Sequence, residues 1–91
     1  MSIESRVRRF LLENYLFTTD DTLLGNDDSL LQKGIVDSTG MMELINFIED
    51  GFGIRIAEEE MIPENLDSVR AIVAFVTARQ AADLQTAGGN G

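Results

Sequence analysis

Two residues hold most of the chemical interest of this chain: Asp37 and Ser38, inside the stretch GIVDSTG that spans residues 34 to 40. An Asp directly before an apolar run at helical spacing can cap a helix by accepting hydrogen bonds from the orphan backbone N–H groups of its first turn, which makes Ser38 the first helical residue. A hydroxyl in that place is a poor nucleophile on its own. The chain has no His, and Lys33 is its single lysine, so no suitably spaced base can take the proton. The same position suits a covalently attached anion, because the positive end of the helix dipole and the free N–H groups of the first turn stabilise negative charge. If Ser38 reacts, another protein must activate it.

The rest of the composition narrows the choice. With 91 residues the chain makes one small domain, able to bury only about two-thirds of the surface that it exposes when unfolded. Apolar residues at 44% and charged residues at 25% are ordinary globular values. The absence of both Cys and His rules out a disulfide framework, the usual zinc ligands and the Ser-His-Asp and Cys-His mechanisms. Metal binding is not expected: Asp20, Asp21, Asp27 and Asp28 do not place oxygens and Gly in the order of a calcium loop. No apolar run approaches the roughly 18 residues needed to span a bilayer, and MSIESRVRRF is a mixed-charge amphipathic start rather than a secretory leader. A cytoplasmic location is expected.

The net charge of −9 is uneven. Between residues 37 and 67, Asp37, Glu43, Glu49, Asp50, Glu58, Glu59, Glu60, Glu64 and Asp67 face Arg55 as the sole basic residue. Such a surface repels nucleic acid and steers partners that carry Lys/Arg patches toward it; it also argues for a monomer.

The elements that must position Ser38 follow from the apolar spacing. Ile3, Val7, Phe10, Leu11 and Leu16 to Phe17 fit one helix over residues 3–17, with Arg6, Arg8 and Arg9 expected to do no more than solubilise it. Residues 18–36 read as a long loop in which the pairs Leu23–Leu24 and Leu30–Leu31 act as staples. A second helix runs from Ser38 to about Asp50, with Gly51 and Gly53 as stop signals and a core stripe of Met41, Leu44, Ile45, Ile48 and Phe52. Met42 and Phe47 lie off that stripe and could be exposed. FGIRI is too short and too isolated for a sheet and is expected to be an extended connector. Glu58 to Glu60 read as a solvated run, PENL as one short helical turn, and Asp67 as the cap of a last helix whose apolar face is Val69, Ile72, Val73 and Val76. The expected architecture is all-α: a small four-helix bundle with three long helices, one short third helix and a long first loop. Residues 1–82 form the domain, and residues 83–91 a flexible C-terminal tail.

Taken in order, Gly34, Asp37 and Ser38, then Glu43–Leu44, Ile48–Glu49, Phe52-Gly53-Ile54-Arg55-Ile56, an acidic stretch and NLDSV, resemble the acyl carrier proteins. The resemblance covers roughly residues 3–80, and the lengths of the long loop and short third helix agree with it. It implies that Ser38 carries 4′-phosphopantetheine and that Asp37 helps to position Ser38 for the phosphopantetheinyl transferase and its magnesium. The thiol of the arm would form thioesters with acyl groups, so that the cofactor supplies the sulfur that the chain lacks. It further implies docking through the acidic second helix, where Glu43, Glu49 and Asp50 are joined on one exposed stripe by Thr39, Met42 and Asn46. The implied partners are the transferase, an acyl- or aminoacyl-loading ligase, and downstream synthase or transferase enzymes of fatty-acid or specialised biosynthesis with basic patches. The chain itself would be no enzyme.

Thr39-Gly40 stands where fatty-acid carriers usually have Leu after the Ser, and no Gly-Gly pair precedes it as in peptidyl carriers. Asp-Ser followed by a small residue and Gly looks more like freestanding carriers of amino acids or short specialised acids. Gly inside a helix costs about 1 kcal/mol relative to Ala, so something must approach closely at Gly40. The alternative to a carrier is an unmodified acidic helical module that docks on a basic partner. For Ser38 taken alone, a simple helix start is the ordinary reading, and Asp67–Ser68 in the same chain is an example of it.

Overall fold

The computed structural model describes the backbone of residues 2–89 and the side chains of residues 2–82. Four α-helices, α1 (Ile3–Leu11), α2 (Ser38–Phe52), α3 (Pro63–Leu66) and α4 (Val69–Gly89), are joined by loops and short 3-10 turns, with no strand among the described residues. This is the expected all-α bundle of three long helices and one short third helix. Of the tail expected over residues 83–91, the helical backbone is described as far as Gly89; its side chains, and residues 90 and 91 altogether, lie outside the described residues.

The core is wholly apolar. Val7 and Leu11 of α1, Leu44, Ile45, Ile48 and Phe52 of α2, Leu66 of α3, and Val69, Ile72 and Val76 of α4 close on one another with Leu24, Leu30 and Val36 from the long loop. Met41 and Val73, expected at the core, are half-buried against it. The 3.6-residue apolar period therefore selected the right faces, except at Phe17, which is 82% exposed where the first helix ends. Ile54 and Ile56 of the extended connector are buried as well, which explains why a segment without sheet partners holds its place.

Helix 1 departs from regularity at its end. After Leu11 the chain widens into a π turn over Leu12–Leu16 and stops at Phe17, whose φ of 52° lies in the left-handed region. Helix α2 extends past Asp50 to Phe52, so Gly51 is helical and the stop falls on Gly53 alone, at φ 67°. There the N–H groups of Gly53 and Ile54 both donate to the Glu49 carbonyl oxygen, satisfying the end of the helix as a left-handed glycine cap does.

The long loop is fastened differently from the expected leucine staples. Only one residue of each pair is buried, Leu24 and Leu30, while Leu23 is 57% and Leu31 43% exposed. Polar side chains do the rest. Arg8, expected only to solubilise α1, donates to Asn26 Oδ1 at 2.6 Å, to the Asp21 carbonyl at 2.6 Å and to the Leu24 carbonyl at 2.7 Å. Arg6 donates to the Gly51 carbonyl at 2.8 Å, with its guanidinium 4.4 Å from the Phe52 ring centre. From the other side, the Asp67 backbone carbonyl accepts from Leu30 N at 2.8 Å, and its carboxylate accepts from Leu31 N at 2.9 Å and from the Ser29 hydroxyl.

Two further expectations change with these contacts. Asp67 is spent on the loop and does not cap α4; Ser68 Oγ does so instead, accepting from Ala71 N at 3.1 Å. Glu60 is no solvated residue, since its carboxylate accepts from Ala57 N at 2.9 Å and pairs with Arg79, whereas Glu58 and Glu59 are exposed. Three of the four loop aspartates use their carboxylates in turns and ion pairs, and Asp21 takes part through its backbone carbonyl. Asp20 accepts from Thr22, Asp28 accepts from Gly25 N and pairs with Lys33, and Asp27 pairs with Arg70.

Candidate functional site

The helices α1 and α2 run antiparallel, as Arg6 meets Gly51 and Tyr15 meets Gly40. The N-terminus of α2 is thus set against the end of the first helix. Asp37 has extended backbone, and its carboxylate accepts from Gly40 N at 2.7 Å, which is the expected cap. Ser38 is the first helical residue and is exposed. Among the described residues no hydrogen bond engages its hydroxyl, and the N–H groups of Ser38 and Thr39 are first-turn donors without an intrahelical partner.

The two Asp-Ser pairs of the chain are used differently. At residues 37 and 38 the Asp caps and the Ser is left free; at residues 67 and 68 the Asp is taken by the loop and the Ser caps. The difference is one of register: the helix begins one residue later in the second pair, which turns the serine from a displayed group into a structural one. Nothing local to the dipeptide distinguishes them.

Gly40 is buried and closely approached, as its cost in a helix requires. A Cβ added there would lie 3.0 Å from Val36 Cγ1 and 3.1 Å from Tyr15 Cε1, tighter than a side chain tolerates without displacement. The Tyr15 hydroxyl donates to Glu43 Oε1 at 2.7 Å and lies 3.1 Å from the Gly40 carbonyl oxygen. Nothing in the apolar pattern marks Tyr15, yet it braces the turn that bears Asp37 and Ser38.

Burial, then the hydrogen bond to Glu43 and the negative charges of Glu43 and Asp37, push the Tyr15 phenol up to about 12 from its ordinary 10.0. A raised value means that the fold favours the protonated phenol. The stability so contributed is whole below pH 10.0 and is lost as pH rises toward about 12. The chain contains one Tyr and no Trp, so its phenolate absorbance reports this residue alone. Its midpoint is expected near 12 and should fall in Glu43→Gln; an ordinary midpoint in the folded protein would show that the brace is absent.

Along α2, Thr39, Met42, Glu43, Asn46 and Asp50 are exposed on one side, with Met42 at 55%. Glu49 is half-buried, and its Oε2 accepts from Ile56 N at 2.9 Å, tying the connector to the helix. Phe47 is not free: it is half-buried, stacked on Phe10 with ring centres 4.1 Å apart and in edge contact with Phe52. An exposed hydroxyl at the head of a helix and a carboxylate-bearing helix face leading away from it can present a group to another protein.

No protein-family model matches the chain. Among curated proteins, a D-alanyl carrier protein of Abiotrophia defectiva is 36% identical to it over 56 residues, which is 62% of this chain and 71% of that protein. The chain belongs to the carrier proteins of the acyl carrier type. The all-α bundle with a long first loop and a short third helix is the fold expected from that kinship. A carrier protein works through a prosthetic arm rather than through catalytic residues of its own. No helix among the described residues is long and apolar enough to cross a membrane.

Proposed function

We propose that this carrier protein bears 4′-phosphopantetheine on the Oγ of Ser38 and carries a small acyl or aminoacyl group as a thioester to partner enzymes in the cytoplasm. One observation carries the assignment of the residue: Ser38 is exposed and uncommitted at the head of a 15-residue helix, while the other serine in the same dipeptide is consumed as a cap. The site fits the group. A phosphodiester on Ser38 would meet the free first-turn N–H groups and the positive end of the helix dipole. Asp37, already oriented by Gly40 N, stands next to it for the transferase and its magnesium. The bound group supplies a thiol, which this chain cannot.

Two features favour an aminoacyl or short acyl cargo over a long fatty acid. The relative is named a D-alanyl carrier protein, and the first turn of α2 reads Ser38-Thr39-Gly40, with Thr39 where fatty-acid carriers usually have Leu. Thr39, Met42, Glu43, Asn46, Glu49 and Asp50 form the docking face for the phosphopantetheinyl transferase, the loading ligase and the downstream enzymes, whose basic patches the −9 charge would attract. Residues 1–82 suffice for this work.

The test uses the absence of Cys. The purified chain should show no reactive thiol before incubation with coenzyme A, magnesium and a broad-specificity phosphopantetheinyl transferase, and one thiol per chain afterwards. No thiol, with a known carrier modified in parallel, would instead favour an unmodified module that docks on a basic partner.

A further inference from the structure

The first helix ends on a residue that its own backbone does not favour. Phe17 closes the π turn at φ 52°, and its N–H and that of Thr18 both donate to the Leu12 carbonyl oxygen. Left-handed backbone crowds the Cβ of an L-residue, so glycine fills such a place at least cost. At the other two left-handed positions among the described residues the chain does use glycine, Gly34 and Gly53.

The Phe17 side chain returns nothing to the fold in exchange. It is 82% exposed, more than any other large apolar side chain described, and it lies outside both the core and the residues packed against the core. Burial therefore does not offset the strain. A bulky residue held in a strained backbone and turned to solvent marks a functional constraint rather than a folding one.

Its place gives that constraint a direction. The Tyr15 hydroxyl, 3.1 Å from the Gly40 carbonyl oxygen, joins the end of the first helix to the head of α2. Phe17 and Ser38 each stand two residues from that contact, and two residues span at most about 7 Å of backbone. They share one end of the bundle. Enzymes that act on the tip of the arm can work an arm's length from that end, whereas the enzyme that attaches the arm must bring the reacting phosphate to Ser38 Oγ itself. A standard interface covers about 800 Å² of each partner, a patch roughly 30 Å across. Centred on Ser38, such a patch takes in the end of the first helix, and aromatic side chains are the usual anchors of such interfaces.

Resting on the carrier reading above, we propose that Phe17 anchors the phosphopantetheinyl transferase, its ring entering an apolar pocket of that enzyme as Ser38 reaches the active site. Recognition then uses two elements for two purposes. The acidic stripe of α2 steers the approach, and one aromatic ring from the end of the first helix fixes the seat.

The experiment compares the unaltered chain with Phe17→Gly and Phe17→Tyr. Urea midpoints read stability, and steady-state kinetics with a broad-specificity phosphopantetheinyl transferase, coenzyme A and magnesium read attachment as the carrier concentration is varied. Phe17→Gly should have a midpoint no lower than that of the unaltered chain, because glycine relieves the left-handed turn. It should nevertheless show a KM at least tenfold higher with kcat within about twofold, the pattern of lost binding without lost chemistry. Phe17→Tyr, which keeps the ring, should stay within about threefold of the original KM. A lower midpoint for Phe17→Gly would make the ring a structural group. An unchanged KM for that variant, or an equal loss in Phe17→Tyr, would also overturn the proposal. If the unaltered chain accepts no arm, the carrier reading and this inference fall together; if it accepts one and Phe17→Gly does so equally well, this inference falls alone.

Discussion

Replacing Ser38 by Ala is expected to abolish attachment of the arm and to leave stability unchanged, whereas replacing Ser68 by Ala should leave attachment unchanged and lower stability. The Ser38 hydroxyl is exposed and makes no described hydrogen bond, so its loss should change stability by no more than about 0.5 kcal/mol, as is usual for surface positions. Ser68 Oγ accepts from Ala71 N and caps the longest helix of the bundle. Removing such a cap typically costs about 1 kcal/mol. The matched pair of substitutions therefore separates display from structure within one dipeptide. Urea midpoints read the stability of each variant, and intact mass after incubation with the transferase reads its loading. Loading of Ser38→Ala, or loss of loading in a folded Ser68→Ala, would put the attachment point elsewhere.

The largest expected loss of stability from a single surface-facing side chain is at Arg8. Its guanidinium bridges the first helix to three points of the long loop, the Asn26 side chain and the carbonyls of Asp21 and Leu24. Hydrogen bonds to a charged donor contribute about 1.5–3 kcal/mol each and are not additive when they share one group. Arg8→Met keeps an apolar stem against α1 and removes all three. A loss of about 2–3 kcal/mol is expected on that basis, with faster amide exchange at Leu24 and Asp28, whose N–H groups close turns of the loop. Arg9, one residue on and exposed, makes no described hydrogen bond; Arg9→Met should stay within about 0.5 kcal/mol. Equal effects of the two substitutions would mean that Arg8 only solubilises the helix.

These arginines show where the sequence stops being legible. The helices, the core stripe of α2 and the buried face of α4 could be read because apolar residues repeat at the period of the helix, and burial follows that period whatever the loops do. What Arg6 and Arg8 hold could not be read, because their partners are backbone carbonyls that exist as acceptors only once the long loop and the end of α2 have folded. The same holds for Asp67. Its cap on α4 is a sound local expectation, but Leu31 N and Ser29 compete for the carboxylate across 36 and 38 residues of chain, and a local pattern carries no sign of that. Leu23 and Leu31 failed as staples for a plainer reason: adjacent residues in a loop point in different directions, so one of each pair is turned to solvent.

At the candidate site more was visible. The cap by Asp37, the place of Ser38 at the helix start and the exposure of Met42 follow from spacing, and the close approach at Gly40 follows from the cost of glycine in a helix. Which group approaches did not follow. Tyr15 reaches Gly40 only because the first helix widens into a π turn and packs antiparallel to α2, and Phe47 looked free only because its partner Phe10 belongs to another element.

The measurement that tests the central claim most directly is the intact mass of the unaltered chain after incubation with coenzyme A, magnesium and a broad-specificity phosphopantetheinyl transferase, followed by mass mapping of its peptides. The account predicts a gain of one phosphopantetheine, on the peptide that contains Ser38. An unchanged mass for the folded chain, or a gain mapped to any other residue, would contradict it.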